Sequence, residues 1–170
     1  SSGLEAQIPL MPFPLCTTTI THHRQIQNWD LRPLQKALQQ DFIPLVYGDV
    51  SFDEVLGGTI LSTEEIFSHL TAELHPDRIL LAGIEPGIWQ DYPDNTTILP
   101  EISHENWVTN ESNLAGSSAT DVTGGMKSKV ESMLRIIQQE PDCEIVIFSG
   151  TQQNAIKQAL MGKPIGTKIR

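Results

Sequence analysis

The chain has 170 residues and a net charge of −10 at pH 7, with 11 Lys and Arg against 21 Asp and Glu. That length suits one domain with a well-buried core, and so acidic a balance argues against nucleic acid as the main partner, because a basic face is needed to displace phosphate counterions. No apolar run approaches the roughly 20 residues that cross a bilayer, no signal peptide is visible, and Cys16 and Cys143 have neither CxxC nor metal spacing. The expectation is a reduced, soluble, cytoplasmic protein with no membrane or nucleic-acid partner.

Ser1-Ser2-Gly3 is not a translational start, and Leu4 to Pro14 reads like the exit from a helix into a strand, so upstream sequence is expected. Residues 7–15, punctuated by Pro9, Pro12 and Pro14, suit an edge strand or extended loop. Residues 17–28 are polar, and Thr18 to Thr21 favours a short strand or hairpin. Asp30 is placed as the cap of a helix from Leu31 to Gln40, with Leu31, Leu34 and Leu38 on one face and Pro33 in the first turn. Phe42 to Tyr47 reads as a buried strand ending at Gly48-Asp49. Thr59 to Ser62 is a brief strand or turn, and Thr63-Glu64-Glu65 opens a helix through Leu74.

Arg78 to Ala82 is the next buried strand, closing on Gly83. The polar stretch 91–120, with a hairpin at about 98–102, lacks periodicity and reads as a functional loop or lid that nucleotide would order. A helix over 123–139 follows, with Val130, Met133, Leu134 and Ile137 at helical spacing. Cys143 to Phe148 is a strand ending on Ser149-Gly150, residues 154–161 form a helix, and residues 162–170 supply a closing turn and strand. The alternation of strands and helices predicts an α/β protein with a largely parallel sheet. In such sheets ligands sit outside the carboxyl ends of strands, where Gly48, Gly83 and Gly150 lie.

The segment Asp121-Val-Thr-Gly-Gly-Met-Lys-Ser-Lys129 is the most informative. Adjacent glycines at a helix N-terminus allow close backbone approach, free N–H groups there favour an anion, and Lys127 and Lys129 follow at once. The alternative for these residues alone is an ordinary loop-to-helix junction with a solvated lysine pair.

Taken together, Tyr47-Gly-Asp-Val50, Gly58-Thr-Ile-Leu-Ser62, Asp121-Val-Thr-Gly-Gly-Met126 with Lys129, and Gly166-Thr167 resemble the amino acid kinase family, and within it the isopentenyl phosphate kinases. The resemblance runs from about residue 30 to the end. It implies an αβα sandwich with a mainly parallel central sheet, one domain over 1–170 with acceptor-side elements in 1–75 and a nucleotide-binding part in 76–170. It implies ATP with Mg²⁺, transfer of the γ-phosphoryl group to isopentenyl phosphate, and a homodimer. By position, Lys129 and Glu64 are implied as catalytic; Gly83, Ile84, Glu85, Gly87, Gly124, Gly125 and Lys129 as nucleotide-binding; and Gly48, Asp49, Ser62 and Thr63 as acceptor-binding, with no protein metal ligand.

The chain departs from the pattern at three places. Ser62-Thr63-Glu64 stands where the family usually shows Ser-Gly-Asp, and Ala82 to Gly87 stands where many relatives have a Thr-Asp-Val-Asp-Gly-like turn. The family's N-terminal glycine-rich loop with its lysine, and its Gly-rich segment with a substrate histidine, have no counterpart. His22, His23, His69, His75 and His104 read as surface or packing residues. A chain without those elements is expected to be inactive or nearly so unless another chain supplies them. A uridylate, acetylglutamate or fosfomycin kinase remains an alternative within the fold, as do a non-catalytic regulatory domain and a structural half of an assembly.

Overall fold

The protein is described by a computed structural model covering residues 8–91, 94–107 and 125–170. Its backbone contacts divide it into two compact units, Ser1–His69 and Leu70–Arg170.

In the first unit, β1 (Leu10–Pro12) pairs in parallel with β4 (Ile43–Leu45), Leu10 opposite Ile43 and Pro12 opposite Leu45. Proline suits such an edge, since it donates no ladder hydrogen bond. The Phe42–Tyr47 run was expected to be buried, but Ile43 is 49% exposed, and Leu45 and Tyr47 are comparably open. β4 pairs with β1 and touches the helix Arg32–Gln39, yet its Ile43 and Leu45 side chains remain largely open among the described residues. After a 3₁₀ turn at Leu15–Thr17 come β2 (Thr19–His22) and β3 (Gln25–Trp29), an antiparallel hairpin turning at His23 and Arg24, both at positive φ. Helix α1 (Arg32–Gln39) buries Leu34 and Ala37, with Leu31 buried just before it. Leu38 falls on the exposed side, against the expected face. The N-cap is Leu31, without a side-chain cap, in place of the expected Asp30, which lies one residue earlier and accepts hydrogen bonds from the Arg32 backbone N–H (3.1 Å) and guanidinium (2.6 Å). That guanidinium holds the Asp30 carboxyl down at about 2.

The second hairpin, β5 (Asp49–Asp53) and β6 (Gly57–Leu61), is absent from the sequence reading, which ended a strand at Asp49 and saw only a brief element near Thr59. The four strands lie in the order β3-β2-β5-β6, with β2 and β5 parallel. Thr19, Thr21, Ser51 and Asp53 face inward and are buried, while Phe52 and Ile60 face outward, 68% and 73% exposed. Asp53 organises both turns. Its Oδ2 accepts from the Arg24 N–H (2.8 Å) and the Thr21 hydroxyl (2.9 Å), and its Oδ1 accepts from the N–H groups of Val55 (3.0 Å) and Leu56 (2.9 Å). Burial alone would push this carboxyl up, but those donors outweigh it and hold it well below the usual carboxylate range. Helix α2 (Thr63–Leu74) spans the boundary between the units.

The second unit is built on the sheet β10-β12-β11-β7, comprising β7 (Arg78–Gly83), β10 (Glu101–Ile102), β11 (Glu144–Ser149) and β12 (Thr167–Ile169). Two of its three pairings, β7–β11 and β10–β12, are parallel and β11–β12 is antiparallel, a largely parallel sheet as expected. Helix α3 (Gly125–Gln139) buries Val130, Met133, Leu134, Ile136 and Ile137, the spacing expected of an amphipathic helix. Val146 and Phe148 pack against Ala155 and Ala159 of helix α4 (Ala155–Leu160), while Ile145 and Ile147 alternate to the other face. Gly166 has φ +64°, and a Cβ there would lie 2.0 Å from the Ile147 carbonyl oxygen, so no other residue fits.

Residues 98–102 do not form a hairpin of their own. β9 (Ile98–Leu99) pairs back to β8 (Ile88–Trp89), and β10 joins β12, because Leu99 and Ile102 bury their side chains in this unit. Asp91 organises the described loop, accepting from the Thr96 hydroxyl and from the Thr96 and Thr97 N–H groups (both 3.1 Å). The rest of the predicted lid, 92–93 and 108–120, lies outside the described residues.

Candidate functional site

At the carboxyl edge of the second unit, β7 and β11 end side by side, Gly83 opposite Ser149. The Gly150 N–H donates to the Gly83 carbonyl (2.8 Å), and the Ser149 hydroxyl donates to the Ile84 carbonyl (2.8 Å). The chain leaving β7 is thereby fixed to the chain leaving β11. Above this junction is a shelf. A Cβ built on Gly83 meets nothing within 4 Å, and Ile84 is 81% exposed. Glu85 is also exposed and accepts from the Trp89 indole N–H (2.9 Å). Gly87 differs from its neighbours. It is buried, and a Cβ there would come within 2.7 Å of Ile98 and 2.8 Å of the Thr167 hydroxyl. That hydroxyl accepts from the Ile88 N–H (2.8 Å) and donates to the Leu99 carbonyl (2.6 Å). Packing under the β8–β9 hairpin therefore already accounts for a glycine at 87.

Gly125 opens α3 at φ +69°, and Lys129 lies one turn in. Lys127 pairs with Glu131 at 3.9 Å along the helix. Gly124 and the preceding Asp121 to Thr123 lie outside the described residues.

In the first unit the structure brings together the implied acceptor residues. Asp49 pairs across the hairpin with Leu61, and a Cβ on Gly48 would lie 3.1 Å from the Leu61 carbonyl oxygen and 3.9 Å from the Thr63 hydroxyl. The Asp49 carboxylate accepts from the Val50 N–H (2.8 Å) and the Cys16 N–H (3.4 Å); the Val50 contact first, then Cys16, lowers its pKa. Asp49 in turn pushes the Cys16 thiol up. Ser62 and Glu65 form a reciprocal capping box: the Glu65 N–H donates to Ser62 Oγ (3.2 Å), and the Ser62 N–H donates to Glu65 Oε2 (2.8 Å). The Ser62 hydroxyl thus starts α2, a role its Ser-x-x-Glu spacing signalled and the sequence reading did not use. Thr63 and Glu64 occupy the first turn of α2. On the outer face of β5 and β6 lies a cavity of about 680 Å³, lined by Cys16, Arg24, Val50, Phe52, Leu56 and Ile60 among others.

The shelf is an open surface beside fixed backbone, with Gly83, Ile84 and Glu85 exposed to solvent. Among the described residues no group of three His, Cys, Asp or Glu could hold a metal. The histidines have structural contacts instead: His22 with Glu54, His75 with Glu140, His104 with the Leu134 carbonyl, and His69 stacked on Trp29. Among the described residues no helix is long and apolar enough to cross a membrane.

Comparison with known proteins identifies the family and the fold. The amino acid kinase family model matches residues 2–149. The chain is 33% identical over 141 residues to an isopentenyl phosphate kinase of Methanocaldococcus jannaschii, covering 83% of this chain and 51% of the relative. It is 28% identical to an isopentenyl phosphate kinase of Arabidopsis thaliana, covering 74% and 42%. An X-ray structure of an isopentenyl phosphate kinase superposes with a TM-score of 0.78 at 21% identity, covering 98% of this chain and 61% of that one. The isopentenyl phosphate kinase of T. acidophilum, solved as a product complex, gives 0.71 at 21% identity, covering 98% and 62%. The chain thus spans about half the length of the curated relatives it matches. On the family model and the shared α/β fold, the chain belongs to the amino acid kinase family.

Proposed function

We propose that this chain is part of an ATP-dependent kinase that phosphorylates isopentenyl phosphate to isopentenyl diphosphate. The observation that carries the reading is the 33% identity to an isopentenyl phosphate kinase across 83% of the chain. In the proposed reaction a phosphate oxygen of the acceptor attacks the γ-phosphorus, the bond to the β-phosphate bridging oxygen breaks, and ADP leaves. The acceptor phosphate is already ionised at neutral pH, so no protein base is required; positioning and charge neutralisation supply the catalysis.

In this reading Leu70–Arg170 holds the nucleotide. Gly83, Ile84, Glu85 and Gly87 form its floor, the Gly124-Gly125 N–H groups meet phosphate oxygens, and the Lys129 ammonium neutralises charge on the transferring group. The acceptor is assigned to Gly48, Asp49, Ser62 and Thr63, with Glu64 orienting cationic groups around the phosphate. Mg²⁺ bound to ATP supplies further charge neutralisation. The reading extends to a cytoplasmic homodimer, supported by two free cysteines and by outward apolar residues such as Phe52 and Ile60.

The test is turnover by the intact protein with ATP and isopentenyl phosphate, set against uridylate, acetylglutamate and fosfomycin. Diphosphate formed from isopentenyl phosphate alone supports the assignment. Turnover of another acceptor would move the protein elsewhere in the family. Nucleotide binding with no turnover of any of the four would favour the regulatory-domain alternative.

A further inference from the structure

The hydroxyl groups at the exit of β11 have a fixed polarity. Ser149 is 5% exposed, and its Oγ lies 2.8 Å from the Ile84 carbonyl oxygen and 2.8 Å from Thr151 Oγ1. A carbonyl only accepts, and a serine hydroxyl carries one proton. The Ser149 proton is therefore committed to Ile84, and the contact with Thr151 is made by the Thr151 proton. The Thr151 N–H also points at Ser149 Oγ, at 3.4 Å. The chain runs Thr151 O–H to Ser149 O–H to Ile84 C=O. Thr151, exposed on the shelf, is left with lone pairs and no proton to offer.

We propose that Thr151 is a specificity-determining residue that accepts a hydrogen bond from a donor on the nucleoside part of the bound nucleotide. This rests on the reading of the β7–β11 shelf as a nucleotide site. An acceptor-only oxygen suits a sugar hydroxyl or an exocyclic base amine. It is unsuited to a phosphate oxygen, whose lone pairs would face those of Thr151. The neighbouring space over Gly83 gives such a group access. Ser149 is the positioning residue: it sets the polarity of Thr151 and pins the Ile84 carbonyl of the same shelf.

The donor is identified by equilibrium titration of the intact protein with ATP, with 2′-deoxy-ATP, which lacks a sugar hydroxyl, and with purine riboside triphosphate, which lacks the amine. One neutral hydrogen bond lost changes affinity by about threefold to tenfold. One analogue is therefore expected to bind that much more weakly than ATP. Thr151→Val should weaken ATP to the level of that analogue while leaving the analogue itself unchanged. Ser149→Ala frees the Thr151 proton and should shrink the discrimination. Inorganic tripolyphosphate should bind the three proteins alike, which a general loss of folding would not allow. If Thr151→Val leaves ATP unchanged, or weakens ATP and both analogues equally, the proposal is overturned while the nucleotide site stands. If the unmodified protein binds no ATP, both fall together.

Discussion

β11, at the centre of the second unit's sheet, is buried by apolar packing on both faces, whereas β5 of the first unit turns polar side chains inward and its hydrogen bonds converge on one carboxylate. β11 buries four consecutive apolar residues, Ile145 to Phe148, so both of its faces are core. β5 buries Ser51 and Asp53 and turns Val50 and Phe52 outward. Both follow the same alternation of side chains across a strand, yet the second inverts the usual assignment of polar and apolar faces. Trp29 of β3 and Leu61 of β6 add apolar burial to the same sheet, and the geometry of β5 depends on its buried polar groups finding partners. The unit with the apolar central strand carries the shelf assigned to nucleotide; the other presents Val50, Phe52 and Ile60 outward.

The largest expected effect concerns the chemistry placed on the second unit. Lys129→Ala in the intact protein should lower kcat/KM by roughly two to four powers of ten, the range for losing a preorganised charge in phosphoryl transfer. Unchanged turnover would remove the nucleotide assignment from α3. The structural contrast is sharpened by a matched pair. Phe148→Ala should cost about 3–5 kcal/mol in denaturant unfolding, because it empties a buried site. Phe52→Ala, on the exposed face of β5, should stay within about 0.5 kcal/mol. Equal costs would show that the two sheets are held in the same way.

Asp53 tests the other half of the contrast. Asp53→Ala leaves the Arg24, Val55 and Leu56 N–H groups without their acceptor, and a fall in Tm on the order of 10 °C is expected. Its carboxyl is held down in the folded state, so its contribution is fully present above the ordinary carboxylate value of about 4 and is lost as pH falls below that toward the folded value. Stability of the unmodified protein should therefore decline below about pH 4, and the decline should be shallower in Asp53→Ala. A parallel decline in both would separate Asp53 from the acid response. The smallest effect is the most local. Thr19 Oγ1 is buried without a hydrogen-bond partner among the described residues, whereas Thr21 Oγ1 donates to the Asp53 carboxylate. Thr19→Val should be neutral or stabilising by up to about 1 kcal/mol, and Thr21→Val should destabilise by about 1–2 kcal/mol. A reversed order would contradict the account of the polar interior.

The second unit was the more legible of the two. Val130, Met133, Leu134 and Ile137 announce one face of α3, and the unbroken Ile145 to Phe148 run announces a buried strand. The first unit was misread where its chemistry is inverted. Asp49-Val-Ser-Phe-Asp alternates as a strand should, but with polar residues inward it did not register as one, and the Asp53 contacts to Thr21 and Arg24 that tie it to the neighbouring hairpin are long-range. Phe42 to Tyr47 misled in the opposite sense, since apolar composition alone does not reveal that Ile43, Leu45 and Tyr47 stay exposed. Of the candidate site, the glycines at the β7 and β11 ends were visible from position. The Ser149–Thr151 hydroxyl chain was not, because it depends on which carbonyl each hydroxyl reaches. Gly87 and Ser62 were visible as residues, but their packing and capping roles became clear only from their neighbours.

The central claim, that nucleotide binds on the second unit's shelf, is tested most directly by amide chemical-shift mapping of the intact protein during an ATP titration. Saturable shifts at Gly83, Ile84, Glu85, Gly150 and Thr151, with the Asp49–Leu61 hairpin unmoved by ATP alone, are the predicted result. Shifts confined to the hairpin, or none at the shelf at saturating ATP, would contradict the account.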